Sequence, residues 1–246
     1  MTSIQTMPCG CPEGGLERTR FFPRQLVTPE DLTQDQHYFR EKIRRHNRML
    51  HGWGVVCGAR VAMGDSACEV IVEPGYILGP YGDEITIDRK VTVDVCHEDL
   101  DGNATSPCGP PSDPWCSDIA VERPAGTTLF LAVRYAECQS RPVRGGGCGC
   151  GCDETECEYS RIGESFVIRV LRKLPSSYPA VMTPPDFKTL FARPKGGRPC
   201  PPCPTDPWVI LADITMGARE TIGTIDCFAH RRYVLSAAEF YMLGTP

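Results

Sequence analysis

No stretch of this sequence approaches the roughly 18–20 consecutive apolar residues that a membrane helix needs, so no membrane span is expected. An excess of positive charge is also missing. Lys and Arg total 26 against 31 Asp and Glu, a formal charge of −5, which argues against a general nucleic-acid binder. The first residues, MTSIQTMPCGCPEGG, carry neither a basic n-region nor an apolar h-region. A signal peptide is therefore not expected and synthesis is placed in the cytoplasm, where the sequon at Asn103-Ala104-Thr105 reads as chance. Histidine is scarce at five residues, and His46 and His51 stand five apart, not at the i, i+4 spacing of ligands sharing a helix face. A Gly-x-Ser-x-Gly elbow, a phosphate loop and a dinucleotide fingerprint are all lacking. Asp99-x-Asp101-x-Asn103 begins like a calcium loop, but Ala104 stands where the turn requires Gly and Pro110 where a bidentate Glu belongs. Asp83 and Glu84 are adjacent in a turn and alternate faces, so they do not form an acid/base pair. Catalysis is not expected.

What is abundant is Gly (24), Pro (23) and Cys (15), in a chain of 246 residues. Glycine and proline at this level leave room for few helices and many turns. One helix stands out. Thr28 is an N-cap, Pro29 suits the first helical position, and Glu30 and Asp31 place negative charge at the positive end of the dipole. The helix is expected to run to about Leu50, with Gly52 and Gly54 ending it. Leu32, Gln36, Phe39, Ile43, His46 and Leu50 recur in steps of four and three and form one stripe, weakened by Gln36 and His46. The other face carries Arg40, Lys42, Arg44, Arg45 and Arg48. This face is either solvated or a docking surface for an acidic neighbour. On the second reading Arg40, Arg44, Arg45, Arg48 and the following Trp53 are the candidate interaction residues.

From Trp53 onward the period changes to two. Val55, Cys57, Ala59 and Val61 form one face, then Cys68, Val70 and Val72 after the turn at Gly64-Asp65-Ser66. Strands are expected again at 84–88, 91–95, 127–135, 165–171, 208–214 and 221–227, with a short terminal helix over 236–242. The fold class is mainly β with one long N-terminal helix (α+β), built as antiparallel sandwich or barrel-like units. By composition the chain divides into an arm (1–27), a helix plus β unit (28–96), a Pro/Cys-rich loop (97–125) and a second β unit (126–246) with Cys-rich insertions at 139–158 and 175–207.

The cysteines are the main chemical candidates. Cys148, Cys150, Cys152 and Cys157 follow a C-x-C-x-C-x4-C spacing, Cys138 precedes them, and Cys200 and Cys203 form a C-x-x-C. Four thiolates drawn from these seven would close a structural zinc site and tie two long loops together. Pro201 and Pro202 weaken that reading, because they supply no N–H to the sulfurs. Disulfides and free thiols remain alternatives, with one thiol left over from an odd count. Redox catalysis at Cys200 is disfavoured, since the surrounding prolines leave no helix to depress a thiol pKa.

The run Arg45-His46-Asn47-Arg48-Met49-Leu50-His51-Gly52-Trp53-Gly54-Val55-Val56-Cys57-Gly58 resembles a family of bacterial proteins encoded with contractile phage tail-like particles, the extracellular contractile injection systems. Val72-Glu73-Pro74-Gly75-Tyr76, Gly82-Asp83-Glu84-Ile85, Ala132 to Cys138, Cys157 to Ile162 and Cys200 to Val209 match its pattern in order. Ala59, where the family commonly has Leu, and Gly79-Pro80 depart from it. The resemblance implies a non-enzymatic structural or accessory part of the particle, at its baseplate or fibre end. Baseplate, sheath or fibre proteins would be its partners, homo-oligomer formation stays open, and the chain would end in a released or cell-associated particle. The alternative class is a β-sandwich binding module for a glycan or cell surface, stiffened by zinc or disulfides, with Tyr81, Trp115 and Tyr178 as loop aromatics.

Overall fold

The computed structural model describes residues 15–98, 119–120, 124–144, 157–178, 200–218 and 221–235. The chain is mainly β with a single helix in the described region, as its turn-rich composition implies. Helix α1 spans Pro29–His46 and passes directly into a π-helical turn, Asn47–His51. The start is a capping box: Thr28 Oγ1 accepts from the Asp31 amide at 3.3 Å, and the Thr28 amide donates to Asp31 Oδ2 at 3.0 Å. Gly52 ends it at φ +77°, a conformation that costs glycine little.

Twelve strands are described: β1 (Gly54–Gly58), β2 (Val61–Met63), β3 (Glu69–Val72), β4 (Gly75–Leu78), β5 (Glu84–Ile87), β6 (Val91–Asp94), β7 (His97–Glu98), β8 (Ile119–Ala120), β9 (Thr128–Arg144), β10 (Cys157–Leu171), β11 (Val209–Met216) and β12 (Ile222–Asp226). All strand pairings within the sheets are antiparallel. Two three-stranded sheets, ordered β1-β4-β5 and β2-β3-β6, meet a four-stranded sheet ordered β10-β9-β11-β12. β5 lies against β9 and β10, β1 against β11, and β2 against β12. Inward residues of all three sheets, among them Val55, Val70, Ile85, Leu131, Ile168 and Leu211, form one hydrophobic cluster. The segments separated by composition at 28–96 and 126–246 thus share a core.

Three local expectations change. The expected 139–158 loop begins and ends in strand: β9 and β10 continue past the core as a two-stranded ribbon, paired out to Arg144 and Cys157, and residues 145–156 lie outside the described residues. Residues 139–143 and 158–164 are all exposed, so neither face carries the apolar alternation that marks a half-buried strand. Cys57, expected inward, is exposed where the β1–β4 register shifts between Val55 and Cys57, while Val55, Ala59 and Val61 of the same expected face are buried. Within the expected 97–125 loop, β7 and β8 pair as a short ladder. The terminal helix over 236–242 lies outside the described residues, as do Cys148, Cys150 and Cys152.

Cys68 and Cys96 form a disulfide across a sequence separation of 28, joining the start of β3 to the end of β6. Closing a loop of that length in the unfolded chain is worth about 3–4 kcal/mol on the chain-entropy account.

Candidate functional site

The helix-to-strand junction is where the structure concentrates its polar geometry, and the helix sits on it with the charged side down. Arg44 is held between two carboxylates, donating to Glu41 Oε1 at 2.7 Å and through Nε to Asp83 Oδ1 at 2.6 Å. Its second terminal nitrogen also reaches Asp83. The Arg44 guanidinium lies 5.8 Å from the centre of the Tyr135 ring. Arg40 pairs with Glu137 at 2.8 Å, and the Tyr135 hydroxyl donates to the same carboxylate oxygen at 3.2 Å. Arg48 is buried and donates to the Tyr81 carbonyl at 2.9 Å, and Asn47 donates to the Gly82 carbonyl at 3.0 Å.

The receptor for these groups is the 79–83 turn between β4 and β5. A Cβ at Gly82 would lie 2.1 Å from the Arg44 carbonyl oxygen, and Gly82 itself stands at φ +89°. Only glycine lets the turn approach the helix this closely.

Burial governs the ionisation of the junction. It pushes the Asp83 carboxyl above its ordinary value despite the Arg44 charge beside it. For Arg44 burial works against the charge, but Asp83 and Glu41 outweigh it and the guanidinium is held above its usual value. Burial, then the Glu137 charge, raises the Tyr135 hydroxyl.

The expectation that Arg40, Arg44 and Arg48 offer a docking face to an outside acidic partner is corrected here. Their acids and acceptors are Glu41, Asp83, Glu137 and the Tyr81 carbonyl of the same chain. Arg45, also in that set, is half-buried on this inward side. The stripe of Leu32, Gln36, Phe39, Ile43, His46 and Leu50, the natural core face by periodicity, points to solvent. Leu32, Phe39, Ile43 and Leu50 are 54%, 53%, 53% and 69% exposed. Periodicity shows that a helix has two faces but not which one meets the protein. Here the surface beneath it is made of acids and carbonyls, so the basic face docks.

Trp53 is likewise occupied within the chain. Its ring makes an edge contact with Tyr178 at 5.1 Å and lies 3.9 Å beneath the Arg232 guanidinium. Tyr178 is buried, its oxygen accepts from the Ile210 amide at 2.8 Å, and burial pushes its hydroxyl pKa well up. The segment around Arg231 to Val234 runs beside β1, with Val55 donating to the Arg232 carbonyl at 2.8 Å. Buried Arg231 donates to the Ala59 carbonyl at 2.8 Å and to the carbonyls of Leu211 and Gly58.

The cysteine candidates divide. Cys138 and Cys203 are each in a disulfide, and in that state neither offers a thiolate to a metal. Cys200 is an exposed thiol. Cys157 opens β10 opposite Arg144. Among the described residues no three His, Cys, Asp or Glu side chains come together as a metal cluster.

Two features went unseen in the sequence. His230 Nδ1 lies 2.6 Å from Asp213 Oδ2, and the Phe130 ring makes an edge contact with the imidazole. Seventeen residues separate the pair, and only the β11–β12 fold joins them. An open groove of about 820 Å³ includes Arg60, Asp226, Cys227, Phe228 and Tyr233 in its lining. The Cys227 thiol there contacts the Val61 carbonyl at 3.5 Å. No helix of the described residues is long and apolar enough to cross a membrane.

No known family model matches the chain, and no curated protein does.

Proposed function

We propose that the chain is a non-enzymatic structural or accessory component of a phage tail-like contractile injection particle, at its baseplate or fibre end, acting through protein–protein contacts. The ordered likeness of its segments to proteins encoded with such particles motivates the assignment. The observation that carries it is the outward apolar stripe of α1, held rigidly by an inward ionic dock. A helix fixed by its charged side presents its apolar side to something else, and exposed patches of this kind mark interaction sites.

The glycan-binding alternative is less well supported at two of its three aromatics, because Tyr178 is buried against Trp53 and Tyr81 is half-buried, which leaves them little face for a sugar; Trp115 lies outside the described residues. Tagging the chain in a particle-producing cell and purifying the particles tests the proposal. Recovery with sheath and baseplate proteins is the expected result. Particles that assemble fully and never contain the chain would sink the assignment, and binding of the isolated protein on a glycan array would favour the alternative.

A further inference from the structure

We infer that the outward stripe of α1 is a two-fold self-association seam that takes a second copy of this helix, packed antiparallel. The proposal uses the same stripe that carries the particle assignment and names a second copy of this chain as what meets it; it is tested on the purified chain alone, so it and the particle assignment can fail separately. Leu32, Gln36, Phe39, Ile43, His46 and Leu50 are spaced four, three, four, three, four, the spacing of coiled-coil a and d positions. Glu41, Arg44 and Arg48, held on the protein body, lie across the helix from that stripe, so the seam faces straight out.

Its polarity reads the same in both directions: apolar, polar, apolar, apolar, polar, apolar. Turned end for end about a two-fold axis near Glu41, the stripe meets itself with matched layers. Phe39 faces Ile43 of the second copy, Gln36 faces its His46, and Leu32 reaches the π-helical turn that carries its Leu50. Such an interface is isologous and closes at two chains.

Area supports the same occupant. Leu32, Phe39, Ile43, Met49 and Leu50 are 44–69% exposed. At about 200 Å² for a large apolar side chain they present on the order of 500 Å² per chain. That is the size of the largest apolar patch on a typical monomer, a size that often marks a functional surface, and two copies reach about 1,000 Å² of apolar surface, near the lower bound for a specific interface. The strap before the helix adds to it. Thr19 and the Glu17 carbonyl are hydrogen-bonded to the start of α1, and Leu26 is 85% exposed.

Sedimentation of the purified full chain tests the seam, after alkylating all accessible thiols, Cys57 and Cys200 among them, and checking on a non-reducing gel that no intermolecular disulfide is present. The expected mass is twice 27.1 kDa at tens of micromolar, roughly the range for a micromolar Kd. Phe39→Glu with Ile43→Glu should shift the protein to monomer with unchanged circular dichroism and with the melting temperature that wild type shows when diluted to monomer, since both side chains already face water in the single chain. A wild-type chain that stays monomeric up to about 100 µM overturns self-association. A dimer that survives the double variant overturns this face as its site. Gln36→Glu settles the direction: antiparallel packing sets the introduced carboxylate against His46 of the other copy and tightens association, by about threefold. Parallel packing sets the two introduced carboxylates against each other, and weaker association would overturn the antiparallel arrangement.

Discussion

Replacing Arg44 by Met is the most direct test of how the helix is held. The substitution keeps most of the aliphatic stem and removes two charge-assisted hydrogen bonds, at 2.7 Å to Glu41 and 2.6 Å to Asp83. Each such bond is worth about 1.5–3 kcal/mol, but the larger cost is what stays behind. The Asp83 side chain is 9% exposed, as is that of Glu41, so two carboxylates would be left in a poorly hydrated cleft with their shared cation gone. Breaking a buried pair by removing one partner costs about 3–5 kcal/mol. For a chain of this size that corresponds to a fall of about 6–20 °C in melting temperature. Removing Asp83 instead, as Asn, leaves Arg44 with Glu41 and should cost less, about 1–3 kcal/mol. The double variant Arg44→Met with Asp83→Asn removes the cation together with the charge of one of its carboxylates and should be less destabilised than the two single losses combined. Urea unfolding followed by far-ultraviolet circular dichroism gives all three values. An Arg44→Met variant within about 1 kcal/mol of wild type would show that this side chain is a solvated surface charge and that the inward dock is wrong.

Three further outcomes follow from the same geometry. Gly82→Ala forces a Cβ to within 2.1 Å of the Arg44 carbonyl at a left-handed φ, and should destabilise the fold by more than about 2 kcal/mol, read by the same unfolding curves; a neutral result would mean that the turn does not touch the helix. Converting Cys68 and Cys96 together to Ala should cost about 3–4 kcal/mol, and an equal unfolding midpoint for the variant and the oxidised wild type would contradict the bridge. Tyr76 is pushed up to about 12, first by burial and then by its hydrogen bond to Glu84, and Tyr135 and Tyr178 are raised further. The folded state therefore disfavours ionising them relative to the unfolded chain, so their contribution is intact below about pH 10 and is lost as the pH rises from there through about 12. Spectrophotometric titration should show these tyrosines ionising late, together with unfolding; full ionisation near pH 10 in the folded protein would exclude it.

The sequence by itself determined the class of fold and most of its local chemistry. Thr28, Pro29 and Asp31 start the helix because a free helix end needs a side-chain acceptor, and Gly52 ends it because the chain must turn through a left-handed conformation there. The strands after Trp53 were legible wherever one face is buried, as in Val70 and Val72 or Ile85 and Ile87, since burial on one side imposes the period of two. The β9–β10 ribbon beyond the core was not legible, because both of its faces are wet and no such period is imposed.

Tertiary structure alone decided which way the helix lies. The stripe from Leu32 to Leu50 and the arginines opposite it are equally regular in sequence, and the choice between them belongs to residues far along the chain: Asp83, Glu137 and the carbonyls of Tyr81 and Gly82. Those groups make the surface under the helix anionic, and a cationic face binds there at the expense of leaving the apolar stripe in water. The pairing of Cys68 with Cys96, the burial of Tyr178 under Trp53 and the meeting of His230 with Asp213 were settled in the same way, by contacts between segments that no local pattern connects.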